Sequence, residues 1–244
     1  MRTRQEIKAI GKAQFKANYW PCVLAILLVS IAVGVIASIA NAPTVAQTQA
    51  MMQAAMSGQE PEPQVSVTFG SFAGSVALII LAGPLTIGLN AFFVKNTLGR
   101  FDEISMTTPF VAAFQNFGRK LGGYLWMLLF TFLWSLLFWI PGIIKGFSYA
   151  MSPYILSDCP NVKAKDALKL SMRMMKGHKW EMFVMELSFL GWGILSALTF
   201  GILSIFYVDP YMNSSFATYY LEVREDALRR GVITMGQLEG VEPV

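Results

Sequence analysis

Three ionisable residues inside apolar sequence are the ones whose type and position could do chemistry. Lys145 sits in "FWIPGIIKGFSYAMSPYIL" (138–156), Asp209 in "SIFYVDPYM" (204–212) and Glu186 in "FVMELSFL" (183–190). A charge held at the centre of a bilayer costs ~3 kcal/mol or more, so such a group pairs, meets water or lines a path. Counting along a helix from the turns at Gly142 and Gly201 puts Lys145 ~5 Å and Asp209 ~12 Å from the same membrane face. A lysine stem covers most of that gap. An ion pair in the outer half of a bundle is one reading; a snorkelling Lys145 and a hydrated Asp209 are the other. Glu186 lies ~8 Å from the opposite face without an evident partner. Tyr154 and Tyr211 each follow a proline, Pro153 and Pro210, in an apolar helix. The backbone groups freed by those prolines need replacement partners in hydrocarbon. Pro84, Pro153 and Pro210 are therefore read as kinks, with Tyr154 and Tyr211 on a polar face around a small central cavity.

Other reactive chemistry is sparse. There is no Walker loop, HExxH or GxSxG, and His178 is the single histidine. No Ser-His-Asp set assembles around it, so no catalytic residue and no enzyme is expected. "KGHKW" (176–180) reads as a basic, lipid-facing edge. Cys22 and Cys159 are too isolated for a zinc site and fall on the reducing side, so neither a metal, a cofactor nor a disulfide is expected.

The elements that position these residues follow from composition. Hydrophobic residues make up 55% of the 244 and charged residues 14%, with mean hydropathy +0.50; soluble domains carry roughly 25% charged residues. Apolar segments recur at 20–41, 68–94, 121–140, 142–157, 181–199 and 203–221. A span needs ~20 apolar residues; 142–157 is short and 203–221 is polar in its middle, so both need cover from neighbours. The expectation is an all-α polytopic membrane protein with six transmembrane helices in three hairpins. All of the 19 Lys and Arg residues except Lys145 fall between spans on one side or at the termini. The positive-inside rule then places both termini in the cytoplasm. The basic start followed by "ASIANAP" (37–43) resembles a signal peptide, but its apolar stretch of ~20 residues exceeds a signal core and is read as a span. The net charge of +4 reflects orientation, and no nucleic-acid partner is expected.

As one integral membrane domain, the chain divides into a cytoplasmic amphipathic helix (1–19), hairpin 1 with an outer loop at 42–67 (20–94), an interfacial helix and hairpin 2 (106–157), another interfacial helix and hairpin 3 (162–221), and a cytoplasmic tail (222–244). A short helix over 44–57 and an extended "EPEP" spacer fit the outer loop. Trp20, Trp126 and Trp180 mark the interface where each hairpin begins, with His178 beside the last. This layout reads as a degenerate threefold repeat. Residues 163–176 put Ala164, Ala167, Leu168, Ser171, Met174 and Met175 on one face and Lys165, Lys169, Arg173 and Lys176 on the other. Such a helix can lie among anionic headgroups of the cytoplasmic leaflet or pack beneath the bundle. In 108–117, Thr108 reads as an N-cap, Pro109 as the first helical residue, and Phe110, Ala113, Phe114 and Phe117 as a stripe. The stretch 4–17 is weaker, because Ile7, Ile10 and Phe15 only partly align.

"IPGIIKGFSYAMSPYILSD", "MMKGHKWEMF", "LSFLGWGIL" and "DPYMNSSFATYY" together resemble the domain-of-unknown-function 975 family of bacterial integral membrane proteins. The likeness is strong over 121–221 and loose before it, and the 42–67 loop is outside it. Asp209 departs from the uncharged residue the family leads one to expect. The resemblance implies a multi-pass plasma-membrane protein of the kind found in Gram-positive bacteria, with no established reaction or ligand. Two activities remain open. One is a non-enzymatic module binding lipid or a membrane-protein partner. The other is a small-solute or peptide transporter or channel, with Lys145, Asp209 and Glu186 along a polar path.

Overall fold

The computed structural model describes residues 1–57 and 69–244, and the "EPEP" spacer lies outside them. The described residues form helices, with no strand among them. Helix α1 (Arg4–Ala17) opens with a capping box in which Thr3 and Glu6 satisfy each other's free groups. Its buried stripe is Ile7, Gly11 and Phe15. Ile10, expected in that stripe, is only half-buried. The true spacing was obscured because glycine occupies the middle place.

Helix α2 (Tyr19–Met56) runs 38 residues without a break. The apolar stretch ends near residue 41 as expected, but the helix does not; "NAP" at 41–43 is absorbed into it, and the short helix over 44–57 is its continuation. Beside it packs α3 (Phe69–Thr97), with Pro84 in its interior. A 3-10 turn at Phe101–Glu103 leads to α4 (Thr108–Phe114). Its N-cap position is Thr107, one residue before the expected Thr108, and Pro109 is the second residue. Pro109 and Ala113 are buried while Phe114 is exposed. Asn116, with φ 53° in the left-handed region, separates Phe117 from that helix, so the expected four-residue stripe does not form.

Helix α5 (Phe117–Leu137) stops at Phe138, whose backbone is extended, and α6 (Trp139–Tyr149) follows. The turn is therefore at Phe138, before the expected Pro141–Gly142. Pro141 sits in the first turn of α6, where its missing N–H leaves no bond broken. Segment 142–157 divides at Ala150–Met151, and α7 (Ser152–Asp158) starts with Pro153 in its first turn. Pro153 thus begins a helix where a kink was expected. Next come α8 (Ala164–Met174), α9 (Lys179–Leu187) and α10 (Leu190–Leu198). Phe200 (φ 51°) and Gly201 (φ 83°) turn the chain through left-handed conformations. A π turn at Ser204–Val208 leads directly into α11 (Asp209–Arg229), with Pro210 at the junction. A π turn absorbs the hydrogen bond that proline removes, so the irregularity there has a local cause. A short α12 (Met235–Leu238) closes the chain.

Among the described residues, three stretches are long and apolar enough to cross a membrane: Tyr19–Ile39, Phe72–Thr97 and Lys179–Leu198. The expected spans at 121–140 and 142–157 are each interrupted, and 203–221 begins in the π turn.

The core gathers at one end of the apolar helices. Ile7, Phe15, Cys22, Ile26, Ile87, Phe92, Phe93, Met151, Ile155, Leu170, Met174, Met185, Tyr219, Tyr220 and Val223 are buried together. This is the end with the basic flanks. Further along the same helices the apolar side chains are exposed: Ile31, Val35 and Ile39 on α2, Phe72 and Val76 on α3, Phe132 and Leu136 on α5, Leu190, Ile194 and Leu198 on α10. The inner faces of α1 and α8 join the core, so their amphipathic pattern is met by protein contacts. Cys22 and Cys159 are both buried and free.

Candidate functional site: an aromatic groove with unpaired lysines

Lys145 and Asp209 do not pair. Helix α6 lies against α5, which places the Lys145 ammonium over Trp134, 4.6 Å from the ring centroid. Asp209 accepts a hydrogen bond from the Ser204 hydroxyl at 2.8 Å, and its backbone carbonyl accepts one from Asn213 at 2.8 Å. Depth along a helix was computable from sequence; direction around it was not. The losses caused by Lys145→Ala and Asp209→Ala are expected to add within ~0.5 kcal/mol. Detergent-state thermal unfolding of the two single variants and the double checks this, and a larger mismatch would reinstate the pair.

Glu186 is exposed on α9. Tyr154 itself is buried, stacked on Tyr220 with centroids 5.3 Å apart. Tyr211 lies edge-on to Phe189 at 5.2 Å and beside Tyr207 at 5.9 Å. Both tyrosines belong to the aromatic core. Near Pro84, the Thr86 hydroxyl donates to the Ala82 carbonyl at 2.9 Å.

Trp20 and Trp180 are 64% and 72% exposed, open to whatever surrounds the protein. His178, expected within a basic lipid-facing edge, is tied to protein partners. Its Nδ1 lies 3.1 Å from Glu181 and its Nε2 3.1 Å from Asp226, with the side chain only 13% exposed. Arg230 reaches Asp226 at 2.7 Å, and the Tyr219 hydroxyl donates to the His178 carbonyl at 2.9 Å. Burial pushes the Asp226 carboxyl up; the His178 hydrogen bond and the charges of Arg230 and His178 outweigh it and hold the group below the usual range. This knot ties the start of α9 to the end of α11. The partners stand 48 residues apart, so no local spacing announces it.

Trp126 provides the other anchor. The Lys165 ammonium of α8 lies over its ring, 4.6 Å from the centroid. Trp126, Phe130 and Trp134 recur every four residues on α5 and make one wall. Lys145 and Tyr149 on α6, with Lys165 and Lys169 on α8, make the other. The groove encloses about 360 Å³. Lys169 is engaged by Asp166 at 3.2 Å. Among the described residues, neither Lys145 nor Lys165 has an ion-pair partner. The arrangement offers apolar aromatic faces flanked by available positive charge.

Several polar anchors escape sequence reasoning. Arg119 donates to the carbonyls of Cys159 (3.0 Å), Val162 (2.8 Å) and Leu156 (2.6 Å), closing the end of α7 and the turn after it. The neighbouring Lys120 ammonium donates to the Ala112 carbonyl. Burial, and then the Arg119 charge, push Lys120 down to about 8. Asp158 accepts from Tyr220 at 3.0 Å and from Arg224 at 2.8 Å. Glu222, 7% exposed on α11, accepts from the Arg2 guanidinium at 2.6 Å and the Arg2 N–H at 3.2 Å. Arg119, Lys120, Arg2 and Arg224 all read as topology-setting charges; only folding shows that each also has a fixed partner.

Residues 136–227 match the model of a family described as Protein of unknown function (DUF975). This segment is similar to that family. It begins at the end of α5 and runs nearly through α11. The matched segment starts later than the resemblance over 121–221 and extends six residues beyond it. It contributes the Lys145 and Lys165 walls of the groove, while Trp126, Phe130 and Trp134 precede it. No curated protein and no solved structure matches the chain.

Proposed function

We propose that the protein is a non-enzymatic, multi-pass module of the bacterial plasma membrane that binds phospholipid, with both termini cytoplasmic. The single observation that carries this reading is the separation of the three ionisable residues first suspected of lining a path. Lys145 turns onto Trp134, Asp209 turns onto Ser204, and Glu186 stands on the outer surface of α9. Such dispersal suits a protein whose charges serve anchoring and recognition better than one that conducts a solute. The fading of burial away from the basic flanks supports membrane insertion, since exposed Ile31, Val35, Phe132, Leu136, Ile194 and Leu198 need an apolar solvent. The methionines of the basic end, Met174, Met175, Met182 and Met185, are sealed inside the core, which supports a compact base resting beneath the spans.

Six spans require α5 with α6–α7, and the π turn with α11, to complete the crossings begun by the three longer stretches, neighbours covering their breaks. The orientation rests on the basic residues. Extraction in mild detergent followed by native mass spectrometry tests the function. The expected result is co-purified phospholipid in near-stoichiometric amount and no solute or ion flux in reconstituted vesicles. Lipid-free protein that conducts would overturn the proposal in favour of a channel or transporter.

A further inference from the structure

We infer that the α5–α6–α8 groove is a specific site for one anionic phospholipid; this rests on the lipid-binding reading above. The groove differs from the general apolar surface in carrying its own charge. Two ammoniums lie over two indole faces of the same helix. Trp126 and Trp134 are eight residues apart, so the two cations are separated by about 12 Å along α5. A cation over an indole keeps donors free on the side away from the ring. Lys169 stands beside Lys165 on α8, one turn further on. Nearby, Asp166 already engages Lys169, leaving Lys165 and Lys145 as the uncompensated charges.

Charge complementarity therefore selects an anion, and the Trp126–Phe130–Trp134 wall selects an apolar body attached to it. A phosphodiester at Lys165 would lay the apolar body of the lipid along Phe130 toward Trp134, with Lys145 adding positive charge at the far end of the groove. The volume of about 360 Å³, at the low end of small-ligand sites, holds the head of a lipid and the start of a chain, the rest lying on exposed apolar side chains of α5 such as Leu129 and Leu133. A zwitterionic headgroup brings its own cation against the lysines, so phosphatidylglycerol is preferred to phosphatidylcholine. The N-terminal cleft, which holds Arg2, Arg4 and Lys8, is less suited: Glu222 holds Arg2 and Ser188 holds Lys8.

The test is native mass spectrometry of the full-length protein titrated with phosphatidylglycerol or phosphatidylcholine. The wild type is expected to retain one phosphatidylglycerol roughly tenfold more tightly than phosphatidylcholine. Lys165→Glu with Lys169→Glu should abolish that preference, and Lys145→Ala should weaken it. Lys176→Glu, which reverses an exposed charge just beyond α8 and outside the groove, should leave it within about twofold. Brominated phosphatidylglycerol should quench tryptophan emission, and Trp126→Phe with Trp134→Phe should remove most of the quenching. Equal losses from Lys176→Glu and the groove variants would show mere surface attraction and overturn the site. Unchanged preference in the groove variants would overturn it too, while retained lipid left the broader reading standing. A wild type that retained neither phospholipid would overturn both.

Discussion

Gly88→Ala is expected to destabilise the protein by about 3 kcal/mol, although alanine is the better helix former by ~1 kcal/mol. Gly88 lies in α3 where α4 crosses it. A Cβ there would stand 2.9 Å from the Ala113 nitrogen, and closer still to the Pro109 carbonyl oxygen. Both obstacles are backbone, so no rotamer change relieves them. The helices must separate, and with them Ala113 and Leu85, which are buried against each other. The packing effect therefore outweighs propensity. Gly34 in α2 is the matched control, because a Cβ there meets nothing within 4 Å; Gly34→Ala should be neutral or stabilising by up to ~1 kcal/mol. Thermal unfolding of both variants in one detergent decides the matter. Equal, small shifts would show that α3 and α4 do not touch as described.

Arg119→Met should be comparably severe, at about 4 kcal/mol. The substitution keeps an apolar stem and removes the donors to three carbonyls at the end of α7. Hydrogen bonds from a charged donor contribute roughly 1.5–3 kcal/mol each, and three on one group do not simply add. The C-terminus of α7 also loses the cation its dipole favours. Hydrogen exchange should locate the damage at 156–163, with α2 little changed. Arg119→Lys keeps the charge but cannot span three acceptors, so it should recover less than half of the loss. A loss below ~1 kcal/mol for Arg119→Met would mean the carbonyls find other donors.

What the sequence made legible was what depends on local period and composition. The α8 face can be read from Ala167, Leu168, Ser171 and Met174, and those residues are buried. The apolar stretches at 20–41, 68–94 and 181–199 each correspond to one of the three long apolar helices. Failures came where a distant partner decided the outcome. Pro141–Gly142 looked like the turn, yet the chain bends at Phe138, because proline is tolerated in the first turn of a helix. His178 looked like a lone base, yet Asp226 of α11 and Arg230 just beyond it hold its ring. Lys145 had a computable depth, while the choice between Trp134 and Asp209 depended on which neighbour α6 faced. Of the groove, Lys145 and Trp126 were both singled out, but as unrelated features. The four-residue recurrence of Trp126, Phe130 and Trp134 was the available signal that they share a wall.

The uneven distribution of burial has a mechanical consequence. A force applied at the Phe200–Gly201 turn would first meet α10, whose exposed side chains hold little protein. Resistance should rise sharply once traction reached Met185 and Tyr219, where aromatic stacking, the His178 knot and the Arg2–Glu222 clasp act together. Single-molecule pulling from that turn should record a low plateau followed by one high rupture peak.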